Sequence, residues 1–291
     1  MLLAFKNFVK NQKLPVSKSV TLLGVSGGID SMVMADLFEK AGYQYAVAHC
    51  NFNLRDNESD EDEQFVIDHF SQKKIPLFTK KFNTSAFANE NKMSIQMAAR
   101  ELRIEWFNTL LKKQNLSYFA TAHHLNDQLE TFFINLLRGT GIAGLHGILP
   151  VYGKGIHPLL FTWREDIVNY AKWHKIPFRE DSSNKKTDYT RNKIRHELLP
   201  LLKKITPEAE KILTENISRI RSAENVFIKK MEDFKKELII QNGHEIQLRI
   251  DSLKKFDNKE IILYEIVSAY QFNYSDVLDM IKSLSTIPGK Q

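Results

Sequence analysis

Residues 26–31 read Ser-Gly-Gly-Ile-Asp-Ser and follow directly on an apolar run, Thr21 to Val25. Paired glycines let several backbone N–H groups converge on one anion. A helix opening at Ile29-Asp30-Ser31 adds unpaired donors and a partial positive charge. Ser26 and Ser31 can donate hydroxyl hydrogen bonds to phosphate oxygens. A Walker loop would continue into a lysine that reaches the β and γ phosphates. Here that lysine is absent, and Asp30 stands inside the loop. A carboxylate facing phosphates repels them unless Mg²⁺ lies between, so Asp30 reads as a metal ligand. The alternative is a plain tight turn in which Asp30 only caps the helix.

A second group of polar residues lies at 120–138. If Leu125 to Arg138 form one helix, Asp127, Glu130, Ile134 and Arg138 fall within a single stripe. His123 stands just before that helix, at the end of a strand-like run. A His, an Asp and a Glu then converge where a cationic substrate or a proton transfer could be served. Taken singly, Glu130 reads as a solvent-facing helix residue and His123 as a capping group.

The elements that must position these residues alternate. Strand-like runs at 20–25, 45–50, 75–82 and 117–124 are separated by helical patterns at 31–41, 60–73, 94–113 and 126–138. Apolar strands with crossover helices imply an α/β, Rossmann-like parallel sheet with helices on both faces. Ligands of such sheets sit at the carboxyl ends of the strands. The first residues, with Leu2, Phe5, Phe8 and Val9 at helical spacing, read as an amphipathic helix. From Thr206-Pro207 the pattern changes to long helical segments with one strand candidate, His244 to Ile250. This predicts a catalytic domain over 1–205 and a smaller, mainly helical domain over 206–291.

Composition bounds the class. Of 291 residues, 43% are hydrophobic and 26% charged, and no run approaches the ~18 apolar residues of a membrane span. The one cysteine, Cys50, excludes an internal disulfide and any Cys-x-x-Cys pair, and the expectation is a cytoplasmic protein without membrane contact. The net charge of +6 is uneven: residues 172–204 hold 10 basic and 4 acidic residues. A basic surface beside a phosphate site could face a nucleic acid, although any single lysine reads as solvated surface.

The loop Ser26 to Ser31 resembles the pyrophosphate loop of the N-type ATP pyrophosphatases, which cleave ATP between α and β and adenylate a substrate. The resemblance sharpens over "SGGIDS" (26–31), "AHCNFNLR" (48–55), "AARELR" (98–103), "ATAHHLNDQLETFF" (120–133), "LRGTGIAGLHGI" (137–148), "HPLL" (157–160), "EDSSN" (180–184) and "RNKIRHELLP" (191–200). Together and in this order they resemble the tRNA(Ile)-lysidine synthetase family. That resemblance implies transfer of L-lysine to C2 of the wobble cytidine of tRNA(Ile) with a CAU anticodon. ATP adenylates the cytosine O2, pyrophosphate leaves, and the lysine ε-amine displaces AMP. It implies ATP and Mg²⁺, with Ser26, Gly27, Gly28, Ile29, Asp30 and Ser31 binding ATP and Asp30 holding the metal. Arg103 matches a substrate- and nucleotide-contacting arginine. His123, Asp127 and Glu130 match lysine-binding and catalytic positions, and Arg195 a catalytic arginine. Asn126 departs from the pattern, where many members carry a second Asp. A homodimer is a candidate assembly.

A lysine amine with pKa about 10.4 lies ~3.4 units from neutrality at pH 7, so its deprotonation costs roughly 4.6 kcal/mol. Asp127 is the expected base and Glu130 the expected holder of the amine or amino-acid end. Arg103 and Arg195 are expected to stabilise charge at the α-phosphate, Arg195 alternatively clamping the RNA backbone. Sulfur transfer is disfavoured by the lone Cys50, and an amidotransferase by the lack of a glutaminase pattern. A non-catalytic RNA-binding module is the rival of a different class. "STIPGKQ" (285–291) is expected to mark a shortened chain, with a further C-terminal domain beyond it.

Overall fold

Leu22 and Leu23 are neighbours in sequence and belong to different cores. That alternation along a strand buried on both faces organises the α/β part of the chain. The computed structural model describes residues 1–17, 19–55, 57–180, 190–242 and 245–284. It divides into two compact units, Met1–Ile217 and Ser218–Gln291.

In chain order the helices and strands are α1 (Leu2–Asn11), β1 (Thr21–Gly24), α2 (Ile29–Ala41), β2 (Tyr45–Asn51), α3 (Asn57–Ser71) and β3 (Leu77–Lys81). There follow α4 (Thr84–Glu90), α5 (Ile95–Lys113), β4 (Tyr118–Ala120), α6 (Leu125–Arg138), β5 (Val151–Tyr152), β6 (Gly155–Ile156) and α7 (Arg164–Trp173). The first unit continues with α8 (Thr190–Lys193), a π-helical turn over Ile194–Leu198 and α9 (Leu199–Ile205). Then come α10 (Ala209–Leu238), β7 (Ile239–Asn242), β8 (Glu245–Leu248), α11 (Ile250–Leu253), α12 (Lys259–Val267) and α13 (Tyr274–Ser283).

Six strands form one sheet in the order β3-β2-β1-β4-β6-β5. All neighbours are parallel except β5, which turns back antiparallel on β6. On one face Leu23, Val25 and Val47 pack with Phe5 and Val9 of α1, Met32, Val33 and Phe38 of α2, Val66 and Phe70 of α3, and Ile167 of α7. On the other face Leu22, Ala46 and Ala48 meet Trp106, Phe107, Leu110 and Leu111 of α5. The expected parallel sheet with helices on both faces is therefore present. Strand order reverses at β1, between β2 and β4, and the crevice this opens is the usual ligand position of such sheets. Gly24 ends β1 where α5 crosses closest: a Cβ there would stand 2.9 Å from the Phe107 ring.

One strand expectation is corrected. The run 117–124 pairs only as far as Ala120; beyond it the chain leaves the ladder, touching it again through a single His124–Leu159 bridge. The hairpin β5–β6 was not foreseen, because two residues per strand carry no periodicity. The stretch "STIPGKQ" and residues 181–184 of "EDSSN" lie outside the described residues.

The second unit contains the antiparallel β7–β8 pair, which includes the expected strand near 244–250, and the helices α11 to α13. Its core holds Met231, Leu238, Leu253, Ile262, Leu263, Ile266 and Val277. Asn273 caps α13, accepting from the Asp276 N–H at 3.1 Å, while Asp276 Oδ2 accepts from the Asn273 N–H at 2.7 Å. Among the described residues no helix is long and apolar enough to cross a membrane.

Candidate active site

The turn from β1 into α2 is held by its own serines. Ser31 Oγ donates to the Gly28 carbonyl at 2.9 Å and accepts from the Ser26 N–H at 3.2 Å, and Ser26 Oγ accepts from the Gly28 N–H at 3.2 Å. Ser31 is buried and its hydroxyl braces the loop, at the wall of the cleft where the sequence suggested a phosphate donor. Gly27 has φ +88°, the left-handed region in which glycine carries no steric penalty, and α3 lies over it through Phe65 and Val66. The side chain of Ile29 enters the core, leaving its backbone N–H, with that of Asp30, in the first turn of α2, where no intrahelical acceptor exists. The segment after α7 secures the loop from outside: the Arg179 N–H donates to the Gly27 carbonyl at 3.0 Å.

Asp30 points from this turn toward α6. Its Oδ2 accepts from Arg164 at 3.0 Å, and its Oδ1 is buried without a hydrogen-bond partner. His124 Nε2 stands 3.9 Å from Asp30 Oδ1 and 3.5 Å from Asp127 Oδ2, between the two carboxylates. Burial raises the Asp30 carboxyl above its usual range, against the pull of His124 and Arg164.

Asp127 and Glu130 lie one turn apart on α6, as their spacing required, and both are buried. Glu130 has 0% exposure and both its oxygens are taken: Oε2 by Arg191 Nε and Oε1 by Arg195 Nε, each at 2.6 Å. Asp127 Oδ1 accepts from Arg191 at 3.2 Å and stands 3.6 Å from Arg195, and Oδ2 accepts from the His124 N–H at 3.0 Å. Burial would raise Asp127, yet His124, His123 and Arg191 outweigh it and hold the carboxyl below its usual range. The two arginines are presented by α8 and the π-helical turn, which are fixed by Ile194 and Leu199 packing on Leu129 of α6. Ile134 joins that apolar cluster and Arg138 is exposed, so only the first half of the expected stripe faces the site.

His123 sits apart from this carboxylate pair in its bonding. Its Nδ1 is 2.8 Å from Thr121 Oγ1, and its ring stands 5.0 Å from that of His157. Burial, with His157, Arg103 and Arg191 assisting against Asp127, pushes its pKa down to about 3, so the imidazole is neutral at pH 7. Arg103, on α5, makes no hydrogen bond or ion pair with a described residue. Cys50, near the end of β2, is a thiol pushed up to about 12 by burial. Asn126 is a structural acceptor: its Oδ1 receives the N–H of Arg164 at the start of α7, at 2.9 Å.

One cleft of about 670 Å³ gathers these groups. The loop residues Ser26, Gly28 and Asp30 line one wall; Arg103, His123, His124, Asp127, Arg164 and Arg195 line the rest. Glu130 does not line it. Of the residues expected from sequence, Ser26, Gly28, Ile29, Asp30, Ser31, Arg103, His123, Asp127 and Arg195 are thus brought together, and Glu130 stands behind them. Arg191, Arg164 and His124 were missed. Arg191 is four residues before Arg195 in "RNKIR", a spacing that places both on one helical face. Among the described residues no cluster of three or more His, Cys, Asp or Glu could hold a metal alone. Mg²⁺ shared with phosphates needs only one or two carboxylates, and the partnerless Asp30 Oδ1 fits that use.

A family model described as the PP-loop domain matches residues 2–202, and one described as the TilS substrate binding domain matches residues 241–291. The tRNA(Ile)-lysidine synthase of Bacteroides thetaiotaomicron is 38% identical over 284 residues, covering 98% of this chain and 66% of that protein. That of Chlorobaculum tepidum is 34% identical over 269 residues, covering 88% of this chain and 81% of its own length. The chain spans 66%, 66% and 59% of the length of the relatives from B. thetaiotaomicron, Parabacteroides distasonis and Porphyromonas gingivalis. Among solved structures, the U34-tRNA thiolase NcsA from Methanococcus maripaludis shares the fold, with a TM-score of 0.59 at 17% identity over 75% of this chain and 78% of its own. The PP-loop match over most of the chain, and relatives above 30% identity along it, place the protein by descent: it belongs to the tRNA(Ile)-lysidine synthase family of PP-loop proteins.

Proposed function

We propose that this chain catalyses ATP-dependent attachment of L-lysine to C2 of the wobble cytidine in tRNA(Ile) with a CAU anticodon, releasing AMP and pyrophosphate. The observation that carries this reading is the shared cleft. A phosphate-binding turn with a carboxylate in place of the Walker lysine faces, across one cavity, a second carboxylate suited to an ammonium group.

The N–H groups of Gly27, Ile29 and Asp30 would receive the β and γ phosphates at the start of α2, joined by that of Gly28 when it gives up Ser26 Oγ. Mg²⁺ held by Asp30 would neutralise phosphate charge and aid departure of pyrophosphate as the cytosine O2 attacks the α-phosphate. Arg103, free of any acidic partner among the described residues, takes the charge that develops at that phosphorus, with Arg195 beside it.

Asp127 holds the lysine ammonium by exchanging it for Arg191. An ammonium at about 10.4 does not readily pass its proton to a carboxyl held below its usual range. Withdrawal of Arg191 removes one of the charges that depress Asp127, while His124 and His123 remain, and this shift upward favours its action as base. Glu130 is a positioning residue that sets both arginines; it has no free oxygen for substrate. The neutral His123 supplies a hydrogen bond and no charge. Residues 1–205 form the catalytic part in this reading. Residues 206–291 contact the tRNA, a role supported by the match of residues 241–291 to the TilS substrate binding domain.

A single-turnover reaction with ATP, lysine and this tRNA tests the assignment, read by mass analysis of the digested nucleosides. Lysidine at the wobble position is expected. Unmodified cytidine with ATP, lysine and tRNA all present would overturn it.

A further inference from the structure

Gln96, Arg100, Arg103 and Phe107 recur at helical spacing on α5 and share one face. Phe107 packs against Gly24 at the end of β1, and Phe107 and Arg103 line the cleft, so this is the face turned toward the site. Because β3 and β4 are parallel, the helix returning between them brings its N-terminal end to the carboxyl ends of the strands. Arg100 therefore lies outward of Arg103, about 4.5 Å along the axis and nearer the rim.

Arg100 is exposed, and neither it nor Arg103 has a hydrogen bond or ion pair with a described residue. The acids of the same helix, Glu101 and Glu105, fall about 100° and 140° round the axis from Arg100, off this face. Burial first, then Arg100 and Arg191 against the pull of Cys50, lower Arg103, and Arg100 also acts on His157. Arg103, which lines the cleft, and Arg100, one turn outward on the same face, are thus two guanidiniums without an acid among the described residues. Like charges a turn apart destabilise a helix unless an anion lies between them.

We propose that Arg100 is a phosphodiester contact for the RNA strand entering the cleft, continuing outward the line begun by Arg103. This rests on the lysine-transfer reading for the identity of the polymer, and on the geometry of α5 for its place. Arg100 makes the charge contact at the rim while Arg103 serves the reacting end, so the two separate RNA grip from nucleotide chemistry.

The test uses the 291-residue chain with Arg100→Ala and Arg100→Lys variants. The probe is an anticodon stem-loop RNA carrying the CAU loop, titrated across a range of salt, with ATP binding measured alongside. Arg100→Ala is expected to weaken RNA binding about three- to ten-fold and to flatten the salt slope by about 0.7. ATP affinity should stay at the wild-type value, and Arg100→Lys should keep the slope. The proposal is overturned by an unchanged RNA affinity and slope, by weaker binding at an unchanged slope, by a parallel loss of ATP binding, or by absence of RNA binding in the wild type. A chain that grips this RNA through Arg100 yet transfers no lysine would end the lysine-transfer reading and leave the phosphate contact standing.

Discussion

Glu130 and Arg195 are joined at 2.6 Å, one end of the bond fully buried and the other reaching the cleft. A carboxylate without exposure and with both oxygens taken by guanidiniums orders the arginines more than it touches any ligand. Glu130→Gln keeps the volume and removes the charge. Because Arg191 and Arg195 are partly exposed, the loss of stability is expected to stay at about 1–3 kcal/mol, below that of a fully buried pair. Lysine transfer should fall further than pyrophosphate release. Thermal melts with the two partial reactions check this; equal loss in both steps would give Glu130 a general structural role instead.

Asp30→Asn removes the charge that would bridge a divalent cation to phosphate while leaving the Arg164 contact with an acceptor. AMP formation is expected to be abolished and the fold retained, as judged by circular dichroism. Turnover at the wild-type level would sink the metal assignment.

Asp127→Ala removes the carboxylate that Arg191 now occupies. The expected outcome is an adenylated RNA that accumulates because lysine is no longer held, with pyrophosphate release preserved. Lysine transfer unchanged from wild type would exclude Asp127 as holder or base.

His123, His49 and His157 all have their affinity for protons lowered by burial. The folded state therefore binds fewer protons than the unfolded chain below about pH 6.5, and stability is full above that value and falls as pH drops. For His123, with a folded value of about 3, the slope reaches about 1.4 kcal/mol per pH unit over that window. Its imidazole resonances should not titrate between pH 8 and pH 5. A midpoint near 6.5 would contradict the burial argument.

The loop and the α6 carboxylates were legible because their geometry is local. Ser26 to Ser31 is one turn, and Asp127 and Glu130 share a face by helical period alone. The partners of those carboxylates were not legible: Arg164 meets Asp30 across 134 residues and Arg191 meets Glu130 across 61. Only the packing of Ile194 and Leu199 on Leu129 sets the second of these pairs. His123 drew attention over His124 because the strand pattern was read through both. Once the ladder stops at Ala120, alternation no longer says which imidazole turns toward Asp30. The depressed state of Asp127 rests first on His124 and His123, just before α6, and then on Arg191, which arrives from α8 and could not be read from α6.

In the proposed reaction the cleft cleaves ATP between α and β and places AMP on RNA before lysine arrives. Incubation of the chain with ATP labelled at the α-phosphate and the CAU-anticodon tRNA, without lysine, isolates that order of events. The label is expected to enter the RNA and to leave as AMP when lysine is added, while label from the γ-phosphate appears only in pyrophosphate. Formation of ADP and phosphate, or an RNA that never carries the α label while ATP is consumed, would rule out an adenylated RNA intermediate.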